Sequence, residues 1–146
     1  MLLEKITAED VQIALSAADW EDAIRKAAAP LAAQGAIEQS YVEGMIESVH
    51  KNGPYFVLAK GLALAHARPE CGANRLALNF TTFDPPVSFG AGDNDPVRLI
   101  ITLAATDPDS HIDLLGELAE VLMDDTRMQQ LFDAPSPDAF RALLLA

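Results

Sequence analysis

The feature that most narrows the fold is the stretch Val97-Arg98-Leu99-Ile100-Ile101-Thr102-Leu103-Ala104-Ala105, which is apolar at nearly every position. A strand wetted on one face alternates apolar and polar residues. A strand apolar on both faces needs cover on both, as at the centre of a sheet between two layers. The sequence on either side supplies the layers. Upstream, Asp19 reads as a helix N-cap ahead of Ile24, Ala27, Ala28 and Leu31, with Pro30 as a kink and Gly35 as the stop. Ser40 and Glu43 form a capping box for a second helix with an inner face of Val42, Met45, Ile46 and Val49, ended by Gly53-Pro54. Downstream, Leu114, Leu115, Leu118, Val121 and Leu122 form a helical stripe, with Asp107, Asp109 or Ser110 to cap it. Residues 127–132 suggest a short helix, and Ser136-Pro137-Asp138 starts another.

Other strands are expected at residues 11–15, which alternate, at residues 55–59, continuously apolar and hence buried, and at residues 75–83. A small strand at residues 87–89 is expected between the turn-rich segments 84–86 and 90–96. Helices on both sides of the strand segment imply an α/β fold, a three-layer α/β/α sandwich around a central mixed sheet, with residues 1–146 as a single domain.

Composition agrees with a packed core: half of the 146 residues are apolar and 22% are charged, which excludes wholesale disorder. No apolar run reaches the roughly 18 to 20 residues of a membrane span. Met1-Leu2-Leu3-Glu4-Lys5 lacks the basic head and long apolar stretch of a secretion signal, so a cytoplasmic protein is expected. Ten Lys and Arg stand against 22 Asp and Glu, a net charge of −12 that repels phosphate backbones and argues against nucleic acid as a partner. The lone Cys71 excludes an internal disulfide framework and a four-cysteine zinc site.

Three histidines could carry chemistry. His66 lies in Gly61-Leu62-Ala63-Leu64-Ala65-His66-Ala67-Arg68-Pro69-Glu70, read as a loop of small residues between two strands. Such a loop lets an incoming group approach the ring, and a neutral imidazole nitrogen is a competent nucleophile near pH 7. Arg68 could offer its guanidinium to phosphate oxygens. The ordinary alternative is an exposed loop histidine with no special task. His111 stands where the acidic C-terminal helix should begin, either helping to hold an anion or facing solvent. His50, near the end of the second helix, suits the negative helix terminus. Asp93, Asn94 and Asp95 lack calcium-loop spacing and read as a solvated turn. Nucleophile-elbow, phosphate-loop, dinucleotide and His-Glu-x-x-His patterns are absent.

The blocks Tyr41-Val42-Glu43-Gly44-Met45-Ile46, Gly53-Pro54-Tyr55-Phe56-Val57-Leu58-Ala59 and the His66 segment resemble the mannitol/fructose-type enzyme IIA family of the bacterial phosphotransferase system. The Gly-Pro-Tyr-Phe-Val-Leu-Ala block and Asp93-Asn94-Asp95-Pro96-Val97 are closest to its ascorbate-type branch. The resemblance implies a phosphocarrier that takes phosphoryl from phospho-HPr and passes it to a IIB protein or domain, touching the membrane only through the IIC transporter. It places the phosphorylated histidine at His66 and the assisting one at His111, with Arg68 a further candidate, and requires no metal or nucleotide. Two departures stand out: Lys60 and Ala65 replace prolines usual in the family, loosening the loop and adding a positive charge near the site. A regulatory protein signalling through its phosphorylation state is the second reading. A metal site using His66 and His111 is the third.

Overall fold

The computed structural model describes residues 2–107 and 112–146. Five strands, β1 (Val11–Leu15), β2 (Val57–Ala59), β3 (Leu62–Ala65), β4 (Ala77–Val87) and β5 (Val97–Ala104), form one sheet in the order β1-β4-β5-β3-β2. The pairs β1–β4 and β3–β5 are parallel, and β4–β5 and β2–β3 are antiparallel, so the sheet is mixed. Helices α1 (Trp20–Ala33) and α2 (Gln39–Asn52) cover one face. The opposite face is covered by α3 (Ile112–Leu122), α4 (Asp125–Phe132) and α5 (Pro137–Leu145).

The apolar run is the middle strand, as expected. On β5, Ile100 and Ala104 pack toward α1 and α2, while Leu99, Ile101 and Leu103 pack toward the other helices. The neighbouring β3 repeats the arrangement with Ala63 and Ala65 on one side and Leu62 and Leu64 on the other. Both faces lie in a core, which is why polarity does not alternate. Caps fix the helix starts: the Asp19 carboxylate accepts from the Asp22 N–H at 2.8 Å, Asp124 from Arg127 N–H at 3.1 Å, and Ser136 from Ala139 N–H at 3.1 Å. Pro30 lies within α1, and the helix continues past it to Ala33.

Four local expectations are corrected. Residues 55–59 are not a buried strand: only Val57–Ala59 pairs, at the sheet edge, and Leu58 is 54% exposed. The segment read as a loop before His66 contains β3, an interior strand whose small side chains fit against the helices. β4 runs on through Pro85 and Pro86 to Val87, which pairs with Val97, so residues 87–89 are no separate strand. The capping box fails because Glu38, not Ser40, precedes the first turn of α2, and the Ser40 hydroxyl donates instead to the Cys71 carbonyl.

The connection between β4 and β5 is held by Asp95. Its carboxylate accepts from the backbone N–H groups of Phe89 and Ala91, both at 2.9 Å, and from the Ser88 hydroxyl at 3.1 Å. Partial burial alone would raise its pKa, but these donors together outweigh it and hold the carboxyl below the ordinary 3.8. A pKa depressed by folding contributes stability above the unfolded value that is lost as pH falls through the folded one. Asp95→Asn is therefore expected to lower the melting temperature at neutral pH, with the gap from the parent closing below about pH 4. A gap that stays constant from pH 7 to pH 3 in thermal melts contradicts this role.

Candidate functional site

β3 and β5 run parallel, with Ala65 opposite Thr102, and His66 is the first residue beyond β3. It thus stands at the carboxyl end of two adjacent parallel strands, where open α/β sheets present reacting groups. Its Nδ1 lies 2.8 Å from the Leu64 carbonyl oxygen. A carbonyl can only accept, so this bond requires the proton on Nδ1, and in the neutral ring the lone pair is on Nε2. The ring is half-buried. Tyr55 meets it edge to face, with centroids 5.7 Å apart and planes at 84°, and Phe56 lies at 6.2 Å.

The chain after His66 is tied to α2. The Tyr41 hydroxyl accepts from Ala67 N–H at 3.0 Å and sits 2.8 Å from the Leu103 carbonyl and 3.2 Å from that of Ala67. Burial pushes the Tyr41 phenol's pKa up, against the opposing effect of its hydrogen bond to Ala67, so it remains a neutral donor. Gly44 makes the close approach possible, since a Cβ there would lie 3.2 Å from both Cβ and Sγ of Cys71. The result is a hollow of about 210 Å³ with Tyr41, His66, Pro69, Leu103 and Asp107 among its lining residues.

Arg68, two residues on in the chain, is exposed, and among the described residues its side chain makes no hydrogen bond or ion pair. His111 lies outside the described residues, as do Asp109 and Ser110. Lys60 is not near His66. It occupies the turn at the other end of β3 and lines a separate cleft of about 520 Å³ with Arg98 and Phe132. Nor does Ala65 loosen a loop, because it is the last residue of β3 and is buried in the sheet.

His50 is bound elsewhere, with Nε2 3.0 Å from Glu21 Oε1 and its ring against Trp20 at 5.0 Å. Among the described residues, no three His, Cys, Asp or Glu side chains gather in a way that could hold a metal ion. Tyr41 and Tyr55 are the site residues that sequence reasoning missed as such. Tyr41 resembled any apolar position on the inner face of α2, and Tyr55 resembled the first residue of a strand. Among the described residues, the available chemistry is that of one nitrogen nucleophile, oriented by its own backbone, with Arg68 two residues on in the sequence.

The family described as "Phosphoenolpyruvate-dependent sugar phosphotransferase system, EIIA 2" matches residues 4–146. The chain is 40% identical over 134 residues to the putative phosphotransferase IIA component SgcA of Escherichia coli K12, covering 92% of this chain and 94% of that protein. It is 37% identical to the mannitol-specific cryptic phosphotransferase enzyme IIA component of the same organism, covering 86% of this chain and 85% of the other. It is equally 37% identical to the ascorbate-specific EIIA component of Shigella boydii, covering 70% and 67%. Among solved structures it superposes on the complex of mannitol enzyme IIA with phosphorylated enzyme IIB from Escherichia coli, with a TM-score of 0.84, 28% identity and 97% of each chain covered. Several ordered blocks had pointed the same way, and the match now spans nearly the whole chain: it belongs to the type 2 EIIA family of the sugar phosphotransferase system and is a phosphotransferase phosphocarrier.

Proposed function

We propose that this protein, acting in the cytoplasm with residues 1–146 as one unit, accepts a phosphoryl group from phospho-HPr on His66 and delivers it to a IIB partner. The observation that carries this reading is the Nδ1–H bond to the Leu64 carbonyl, which reserves Nε2 as the nucleophile at the end of β3. In the forward step the Nε2 lone pair forms a new N–P bond while the N–P bond of the donor phosphohistidine breaks, its electron pair returning to the donor imidazole. The second step repeats this in the opposite role toward IIB. No water enters either balance, and most of the catalysis is positioning and charge neutralisation. Arg68 is the proposed neutraliser of phosphoryl oxygens, and His111 is the proposed assisting histidine.

The sugar is a finer question. Relatives named for mannitol and for ascorbate share the same identity with this chain. We assign the ascorbate branch on the Gly53–Ala59 and Asp93–Val97 blocks, with a regulatory IIA-like protein as the alternative. The test is onward transfer from the labelled phosphoprotein to purified IIB proteins. Rapid transfer to an ascorbate-type IIB and slow transfer to a mannitol-type one is expected. The reverse order overturns the branch, and transfer to no IIB favours the regulatory alternative.

A further inference from the structure

Two consecutive aromatic residues meet the imidazole of His66, and neither has been given a task. Phe56 is fully buried and is itself fixed by Phe89, with centroids 6.3 Å apart. Tyr55 lies at the rim, 43% exposed. It packs against Phe56 at 5.2 Å. The pair is tied to the strand that carries His66, because the Phe56 carbonyl accepts from Leu64 N–H at 2.9 Å. The same Leu64 supplies the carbonyl that receives the Nδ1 proton of His66. Ring platform, strand and imidazole therefore form one closed assembly.

The bond to Leu64 alone leaves the imidazole free to swing about its Nδ1 anchor. A second contact is needed to fix the ring plane, and the edge-to-face arrangement at 84° suits it, since the positive edge of one ring meets the negative face of the other. The Tyr55 hydroxyl adds little, reaching the His66 carbonyl only at 3.4 Å. We propose that Tyr55 is a positioning residue for phosphoryl transfer: its ring, rather than its hydroxyl, locks the plane of the His66 imidazole so that Nε2 is aimed at the incoming phosphorus. This rests on His66 being the acceptor and adds a residue and a physical role to that reading.

The proposal separates the two halves of the side chain. Tyr55→Phe keeps the ring and is expected to transfer within about twofold of the parent. Tyr55→Ala is expected to lower kcat about tenfold, the size of a lost aromatic pair, while KM for phospho-HPr changes little. The same two variants are then phosphorylated with phosphoramidate, a small donor that has no docking surface. If Tyr55 positions the ring, the Ala defect persists with this donor. An NMR spectrum of the unphosphorylated proteins gives a further readout: His66 ring resonances should move in the Ala variant and stay near the parent in the Phe variant. Equal defects in both variants would place the function in the hydroxyl and overturn the proposal. So would a change in KM alone, a defect confined to the protein donor, or parent-like kinetics in Tyr55→Ala. A His66→Ala control carried alongside reports separately on the acceptor: label persisting there rejects His66 itself, whatever Tyr55 does.

Discussion

His66→Ala is expected to take up no phosphoryl group from phosphoenolpyruvate, enzyme I and HPr, while the parent is expected to take up one that is acid-labile, as a phosphohistidine should be. The loss is expected to be complete because His66 is the described histidine whose Nε2 is left without a protein partner by the bond at Nδ1. His50 is occupied by Glu21 and Trp20, and His111 is assigned an assisting role. His111→Ala is accordingly expected to slow the reaction and leave the attachment point intact. The His66 variant should remain folded, since it forfeits one partly exposed hydrogen bond worth about 1 kcal/mol and the ring contacts to Tyr55 and Phe56, worth about 0.5–1.5 kcal/mol each. Full labelling of a folded His66→Ala protein would reject the assignment.

Tyr41→Phe is expected to cost about 1–3 kcal/mol, a lowering of melting temperature by about 2–4 °C for each kcal/mol in a chain of this size. The reason is what the missing hydroxyl leaves behind. Ala67 N–H, part-buried, loses its acceptor, and the buried Leu103 carbonyl loses its donor. The ring itself fits unchanged, so the cost comes from unpaired polar groups rather than from a cavity. Because Ala67 follows His66 directly, phosphoryl uptake should also slow at temperatures where both proteins are fully folded. An unchanged melting temperature, with unchanged uptake, would show that the Tyr41 clamp contributes nothing.

The layered fold was legible because it rests on patterns with a single physical cause. The unbroken apolarity of residues 97–105 demands cover on both faces, and Asp19 and Ser136 cap helices through bonds that their own short side chains make. What escaped was decided at longer range. Leu62-Ala63-Leu64-Ala65 reads as small loop residues in one dimension, yet the alanines are small because α1 and α2 press on that face. Ser40 has the local signature of a cap, but α2 already begins at Gln39, and the hydroxyl donates instead to a carbonyl 31 residues away. Lys60 lies six residues before His66, close by count. A strand running between them carries its charge to the other end of the sheet. Within the site, the identity of His66 came from the resemblance of its surrounding blocks. Its tautomer could not, because that depends on which carbonyl the ring nitrogen meets. Tyr55 and Tyr41 were hidden for the same reason: a ring's usefulness lies in what it touches.

The central claim is that the fold protonates Nδ1 of His66 and so commits Nε2 to the transfer. Nitrogen-labelled protein, phosphorylated through HPr and observed by phosphorus–nitrogen correlated NMR, reads this directly. The N–P bond should be found at Nε2 of His66, with the proton retained on Nδ1 and donated to the Leu64 carbonyl. A phosphoryl group attached at Nδ1, or on any residue other than His66, would contradict it.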